Sequence, residues 1–526
     1  MRLGELISGL GIRLVSGDAG VRVCDLTEDS RTVVPGSMFV ARRGLVADGL
    51  EHVAEAIEGG ASVVLTAQED TLTELWRTGD HRPLAWCVAD DPALAAALLA
   101  ERFYGGASSR LSVVGVTGTN GKTTVTHLVR QLLRSSGVRC GLIGGVEIDD
   151  GVGVAPAVLT TPPAIEISRT LGVMVEAGCR AAAVEVSSHA LSQHRVAGVR
   201  FRVAVFTNLT GDHQDYHGDM DRYADAKAKL FESLAPESLA VVHADDPAAA
   251  RMLQSCKARV VRCTASERTG ESNAHERWAS ARVLASGLDG LRLRLTGPWG
   301  SVTGRTGLVG AHNAMNLLQA CAAAHELGLH AEDLAVALPR LRPASGRLDR
   351  VPSDAEGAPM VFVDFAHTDD ALRRTLESVR TGMAASAKPG SRLWVVFGCG
   401  GDKDRTKRPR MGAAAAELAD EVVVTSDNPR TESPGSIIDM ILQGMPEPAR
   451  GRAHVHADRE RAIRFAIESA SPADVVVLAG KGHEREQILP DGRGGVVRRA
   501  FDDREIARSA LAARAGRGEP ARARAT

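Results

Sequence analysis

From Val113 to Thr124 the chain reads Val-Val-Gly-Val-Thr-Gly-Thr-Asn-Gly-Lys-Thr-Thr, an apolar strand-like run that passes through a glycine-rich turn into a helical pattern. In such a turn the backbone N–H groups of Gly118, Thr119, Asn120 and Gly121, with the start of the following helix, can hold phosphate oxygens. Lys122 would bring a mobile positive charge to those phosphates, and Thr123, followed by Thr124, carries a hydroxyl placed to coordinate Mg²⁺. The strict phosphate-loop spacing asks for glycine at position 116, where this chain has Val116 between Gly115 and Gly118.

Three later segments carry polar groups at the ends of expected strands, where open α/β sheets bind ligands. They are Glu185-Val-Ser-Ser-His-Ala-Leu-Ser-Gln-His-Arg195, Thr207-Asn-Leu-Thr-Gly-Asp-His-Gln-Asp-Tyr-His217 and Asp221-Arg-Tyr-Ala-Asp-Ala-Lys-Ala-Lys-Leu-Phe231. One histidine or glutamate here would read as a solvated residue. This many, following a phosphate loop, point to a Mg-nucleotide site with an acidic substrate beside it. Lys227 and Lys229 flank Ala228 on a helical stretch, and periodicity alone does not choose between them.

The elements that must position these groups are those of an α/β protein. Apolar runs at Leu111 to Val116, Ala181 to Val186, Val203 to Leu209 and Leu239 to Val242 alternate with helical patterns such as Thr123 to Leu133 and Arg222 to Leu234, which predicts a doubly wound sheet. Leu291-Arg-Leu-Arg-Leu295 has period two and predicts an antiparallel hairpin region beside that main sheet. A second series of buried strands, Met360 to Asp364, Leu393 to Phe397, Glu421 to Thr425 and Val475 to Leu478, predicts a Rossmann-like α/β domain. With breaks at Tyr104-Gly-Gly-Ala-Ser-Ser109 and Pro343-Ala-Ser-Gly346, three domains are expected over residues 1–104, 105–342 and 343–514. The Gly-, Pro- and Arg-rich residues 515–526 are expected to form a disordered tail.

A length of 526 residues agrees with about three domains of 100–200 residues, and 44% hydrophobic with 24% charged residues excludes wholesale disorder. Lys+Arg 63 against Asp+Glu 65 leaves a formal charge of -2, so no global basic field recruits nucleic acid or an anionic membrane. No apolar run reaches the roughly 20 residues that span a bilayer, so a cytoplasmic protein without membrane insertion is expected. The 8 cysteines include no CxxC pair and read mostly as small buried thiols. Cys399, in Phe397-Gly-Cys-Gly-Gly-Asp402, reads as a structural thiol after a buried strand rather than a nucleophile.

The order of motifs resembles the Mur ligase family, most closely its diaminopimelate-adding branch, over almost the whole chain. The matching pieces are Asp29-Ser-Arg31, Gly118 to Thr124, Glu185 to His189, Thr207-Asn-Leu209 with Asp212-His213 and Asp215-Tyr-His-Gly218, Asp364-Phe-Ala-His-Thr368, Gly398 to Asp402, Asp427-Asn-Pro-Arg430 and Gly480-Lys-Gly-His-Glu484. The resemblance implies a monomeric ATP- and Mg²⁺-dependent amide ligase of peptidoglycan precursor synthesis. The γ-phosphate would activate the D-glutamyl carboxylate of a UDP-N-acetylmuramoyl-dipeptide, and a diamino acid's amine would attack the acyl phosphate. It implies that Lys122 neutralises phosphate, that Thr123, Glu185 and His213 hold metal, and that Lys227 is carbamylated to hold a second metal. Gly118 to Thr124 would bind ATP, with Asn313, Asn316, Arg347 and Asp364 around adenine and ribose. Ser30 would contact the UDP part, and Thr160, Thr161, Ser187, Gln193 and Arg195 the muramoyl-peptide part. Lys403, Asp427, Asn428, Pro429, Arg430, Gly480 and Glu484 would form the amino-acid site.

Arg430 can bind a carboxylate bidentately and Glu484 can pair with the distal ammonium, together matching the two ends of diaminopimelate, which lysine lacks at one end. The plain alternative is that Asp427 to Arg430 is only a proline-containing turn. The chain departs from the family pattern at Lys403, where an arginine is usual, at Arg405 to Arg410, at Asp369 and at His312. Those departures leave open a paralogue adding another amino acid in a specialised pathway, beside a non-catalytic nucleotide-binding protein of the same fold. A folylpolyglutamate-synthetase-like enzyme would share the phosphate loop but lack the Asp29-Ser-Arg31 region and Asp427 to Arg430.

Overall fold

Strands of valine and alanine without polar alternation must be covered on both faces, and the sheet around the phosphate loop is built that way. The structure, a computed structural model, describes residues 1–44, 48–67, 84–211, 214–266, 275–353, 357–386 and 390–517. In an 11-stranded sheet, strand Ser112–Thr117 lies between Ala181–Glu185 and Phe201–Phe206, all parallel. Val114, Val116, Ala183 and Val205 enter one core with helices Lys122–Ser135 and His312–Glu326. Their neighbours Val113, Val184, Ala204 and Phe206 enter the opposite core with helices Ala164–Glu176 and Met220–Glu232. The carboxyl ends of the three strands therefore open onto one crevice, where the residues after Thr117, Glu185 and Phe206 meet.

The antiparallel segment is not beside this sheet but part of it. Strand Glu276–Gly287 pairs in parallel with Arg259–Thr264 and continues antiparallel through Gly290–Gly297 to Gly300–Thr306. Residues 276–280 satisfy the backbone groups that Arg259–Thr264 would otherwise leave unpaired at an edge.

A 5-stranded sheet precedes it, running from Arg13–Gly17 through Ala85–Val88, Val63–Thr66 and Ser37–Val40 to Asp25–Thr27. Helix Pro92–Phe103 covers it, begun by Asp91, whose carboxylate accepts from the N–H groups of Ala93 and Leu94 while Pro92 gives up no needed donor. A 6-stranded sheet follows, with Met360–Asp364, Val475–Ala479, Leu393–Phe397 and Glu421–Thr425 as its parallel centre. A two-stranded hairpin, Glu486–Pro490 with Val496–Ala500, leads to helix Asp503–Arg517. That helix takes in residues 515–517, which correct the start of the expected tail, and residues 518–526 lie outside the described residues. Cys24 is exposed, Cys256 intermediate and the other six cysteines buried. Burial pushes the Cys399 thiol up to about 12, as suits an inert thiol packed on Met411.

Candidate active site

The phosphate loop begins later than the strict spacing asks. Val116 is a fully buried strand residue, and the left-handed turn residues are Gly118 (φ 143°) and Gly121 (φ 87°). A Cβ on Gly118 would lie 1.9 Å from Thr207 Oγ1, and one on Gly121 would lie 2.6 Å from Asn316 Oδ1. Both glycines are thus required by close approach as well as by conformation. Helix Lys122–Ser135 starts at Gly121 and aims its N-terminus into the crevice. Lys122 Nζ donates to the carbonyls of Gly118 (3.0 Å) and Thr119 (2.8 Å). Thr207 Oγ1 donates to Asn120 O at 2.6 Å, and Asn120 N donates to Asn208 Oδ1 at 3.0 Å, so the loop after Phe206 holds the turn in shape.

Thr123 Oγ1 donates to Glu185 Oε2 at 3.0 Å, and Gly145 N donates to Glu185 Oε1 at 2.9 Å. Burial raises the Glu185 carboxyl above its usual range, against the Gly145 N–H, Lys122 and Arg347, which favour the ionised form. Mg²⁺ takes oxygen donors and keeps phosphate or water oxygens in its shell, and the Thr123 hydroxyl beside the Glu185 carboxylate fits it. No group of three His, Cys, Asp or Glu side chains forms a metal cluster among the described residues. His213, the other expected metal residue, lies outside them. Of the two lysines that periodicity left open, Lys229 is exposed, whereas Lys227 is 1% exposed. Lys227 Nζ donates to Gly118 O at 3.0 Å and lies 4.2 Å from the centre of the Tyr223 ring.

The crevice opens into a cleft of about 1300 Å³ whose far wall is the C-terminal part of the chain. Asn313, Asn316, Arg347 and Asp364 all line it. Asn316 Nδ2 donates to Asn313 Oδ1 at 2.9 Å, and Asn313 Nδ2 to Val309 O at 2.7 Å. Asp364 accepts from Leu348 N, Ala366 N and Thr375 Oγ1 at 2.7, 2.9 and 3.0 Å, and burial raises its carboxyl. Arg347 Nη2 donates to Thr123 Oγ1 at 3.2 Å with its guanidinium over Phe365, and its buried Nε has no partner among the described residues. His483 Nε2 donates to Gly145 O at 3.1 Å.

At the cleft's other end Asn428, Arg430 and Glu484 line the wall, but the remaining expected amine-site residues do not. Asp427, Pro429 and Gly480 are buried behind it, and a Cβ on Gly480 would meet Asp427 Oδ2 at 2.5 Å. Lys403 is exposed and outside the lining, although a Cβ on Gly400 would meet both Arg430 Nη1 (3.1 Å) and Lys403 Cγ (4.0 Å). Two buried cations beneath this end went unassigned from sequence. Lys481 is 0% exposed and donates to Asn428 Oδ1 (3.0 Å) and Glu484 Oε2 (2.9 Å). Arg459, 1% exposed, pairs with Asp503 and donates to Ala479 O at 2.9 Å. The only sequence signal for Lys481 was its place inside the Gly480 to Glu484 motif.

The expected muramoyl-peptide residues gather at the end of strand Ala181–Glu185. Thr161 Oγ1 donates to Glu185 O at 2.8 Å and accepts from Ser187 N at 3.0 Å. Arg195 donates to Thr161 O (2.7 Å) and grips Gln193 Oε1 (3.1 and 2.7 Å), and Thr160 lines the cleft. Ser30 stands apart, outside the cleft lining, its hydroxyl on Glu55 Oε2 at 2.6 Å.

Residues 116–324 match the Mur ligase middle domain, and residues 346–482 the Mur ligase, glutamate ligase domain. Similar proteins include the UDP-N-acetylmuramoyl-L-alanyl-D-glutamate--2,6-diaminopimelate ligases of Chlorobaculum tepidum, 42% identical over 97% of both chains, and of Alkalilimnicola ehrlichii, 44% identical over 89% of this chain and 91% of that one. A solved structure of a ligase of that name is 32% identical with a TM-score of 0.65, covering 98% of this chain and 99% of the other. The Thermotoga maritima MurF ligase in complex with ADP shares the fold at 16% identity, with a TM-score of 0.61 over 95% and 99% of the two chains.

Proposed function

The chain belongs to the Mur ligase family, and from this premise we propose that it is the ATP-dependent ligase that adds diaminopimelate to UDP-N-acetylmuramoyl-L-alanyl-D-glutamate. The observation that carries the reading is one cleft with the Lys122 phosphate loop and the Thr123–Glu185 pair on one wall and Asn428, Arg430 and Glu484 on the other. A carboxylate resists attack by an amine until its oxygen becomes a good leaving group, and transfer of the ATP γ-phosphate makes it one. The amine then adds to the acyl carbon, phosphate leaves with the C–O electron pair, and the amine gives up its proton.

Lys122 and the N-terminus of its helix hold the phosphates and spread their charge. Arg347, Asn313, Asn316 and Asp364 flank the nucleoside. Thr123, Glu185 and His213 are the residues assigned to Mg²⁺, which when bound offsets phosphate charge. Lys227 is assigned as a carbamate, formed when its neutral amine adds to CO₂ and loses a proton. Its burial beside the loop backbone supports that choice over exposed Lys229. Thr160, Thr161, Ser187, Gln193 and Arg195 are assigned to the muramoyl peptide, and Ser30 to the uridine end. Asp427, Pro429 and Gly480 serve the amine site by shaping its wall. Lys403, on the same side of Gly400 as Arg430 Nη1, is assigned to the amine site as a point charge in place of the family arginine.

We place the domain boundaries near residues 104 and 343, and read the protein as a cytoplasmic monomer supplying cell-wall growth, cell shape and cell division. No helix among the described residues is long and apolar enough to cross a membrane. The test is a panel of amines with ATP, Mg²⁺ and the UDP-dipeptide, read by product mass and phosphate release. Diaminopimelate should be the preferred amine. A preference for L-lysine or another mono-carboxylate amine, or no ligation at all, would overturn the reading.

A further inference from the structure

The amine end of the cleft holds opposite charges that do not meet. Arg430 Nη1 donates to the carbonyls of Gly401 (2.7 Å) and Asn428 (3.4 Å), and its guanidinium forms no ion pair among the described residues. Glu484, on the same wall, spends Oε2 on Lys481 Nζ (2.9 Å) and Asn428 Nδ2 (2.8 Å), while Oε1 has no hydrogen-bond partner among the described residues. The ammonium responsible is itself 0% exposed, and its second bond, to Asn428 Oδ1 at 3.0 Å, shares that oxygen with Ile488 N. A carboxylate and a guanidinium on one partly dry wall attract each other.

We propose that Lys481 is a specificity-determining positioning residue: by holding one oxygen of Glu484 from behind, it keeps that carboxylate from neutralising Arg430. The subsite then presents a separated anion and cation to a zwitterionic substrate end, Glu484 Oε1 for the ammonium and Arg430 for the carboxylate. Lys481 touches no substrate and acts through Glu484. Without it, Glu484 swings toward Arg430 and the two charges cancel, so a zwitterionic end loses its advantage over a singly charged one.

The inference rests on the diaminopimelate-ligase reading, and one set of assays separates the two. Full-length wild type and Lys481→Met are compared with meso-diaminopimelate, 2-aminopimelate, which lacks the distal ammonium, and L-lysine, which lacks the distal carboxylate. Melting temperature is measured alongside. Lys481→Met should raise the diaminopimelate KM at least 10-fold and shrink the preference over 2-aminopimelate, leaving the KM values of ATP and the UDP-dipeptide within 2-fold. Adding Lys481→Met to Glu484→Gln should cost less than 2-fold beyond Glu484→Gln alone, because the lysine acts through that carboxylate. If the methionine variant is insoluble, Lys481→Gln, which keeps a donor but no charge, should show the same split. A parallel rise of all three KM values, or full additivity with Glu484→Gln, overturns the role of Lys481 while leaving the function standing. Wild type that ligates no diaminopimelate overturns the function and this role together.

Discussion

Arg347 and Thr123, 224 positions apart, meet at 3.2 Å, guanidinium to hydroxyl, and the same hydroxyl donates to Glu185. The C-terminal part of the chain thereby touches the first turn of the phosphate-loop helix. His483 adds a second bridge through Gly145, whose own N–H holds the other oxygen of Glu185. Nucleotide and amine walls are thus joined through two of the residues assigned to the metal, Thr123 and Glu185.

Arg347→Met should lower kcat/KM for ATP by 10- to 100-fold, since a hydrogen bond from a charged donor is worth about 1.5–3 kcal/mol. Steady-state kinetics with a melting curve checks this. An unchanged ATP dependence would mean that Arg347 only packs on Phe365.

Lys227→Ala should be nearly inactive and Lys229→Ala within a few-fold of wild type, because one side chain lies under the phosphate loop and the other in solvent. A small carboxylic acid should partly restore Lys227→Ala by standing in for the carbamate. The reverse ranking would move the carbamylation site.

Stability should fall in mild acid through His127. Burial, with Arg130 and Arg347 nearby, pushes its ring down to about 3, well below the value of about 6.5 in an unfolded chain. Below pH 6.5 the unfolded chain binds the proton that the native state refuses, so the contribution is whole above about pH 6.5 and shrinks as pH falls toward 3. At pH 5 this costs about 2 kcal/mol relative to pH 7. Denaturation of wild type and His127→Leu at both pH values should show a smaller drop in the variant, and equal drops would refute the assignment.

Arg459 and Asp503 are each at most 1% exposed and paired at 2.6 and 2.8 Å, with the arginine also on Ala479 O just before Gly480. Arg459→Met should cost about 3–5 kcal/mol, because Asp503 is left as a buried uncompensated charge. Arg459→Met with Asp503→Leu should recover most of that loss in urea titrations. Failure of the pair to recover would show that the contact to Ala479, not the charge balance, carries the stability.

The amino-acid sequence by itself determined the buried strands and the chemistry at their ends. Met360–Asp364, Leu393–Phe397 and Glu421–Thr425 are built on apolar runs, Glu185 closes strand Ala181–Glu185 and Lys122 comes five residues after strand Ser112–Thr117 ends, so local pattern and site coincide. Tertiary structure decided whatever depends on partners distant in the chain. A helix turns about 200° between Lys227 and Lys229, yet only packing against the Gly118 loop decides which lysine is buried. Val116 is a strand residue because its neighbours in the core claim it, which moves the turn to Gly118. Arg347 reaches Thr123 from 224 positions away, a contact that no local pattern contains. Hydrophobic runs are properties of neighbouring residues, whereas the pairing of buried charges is a property of the folded interior, where each ion takes whichever opposite group the packing brings within reach.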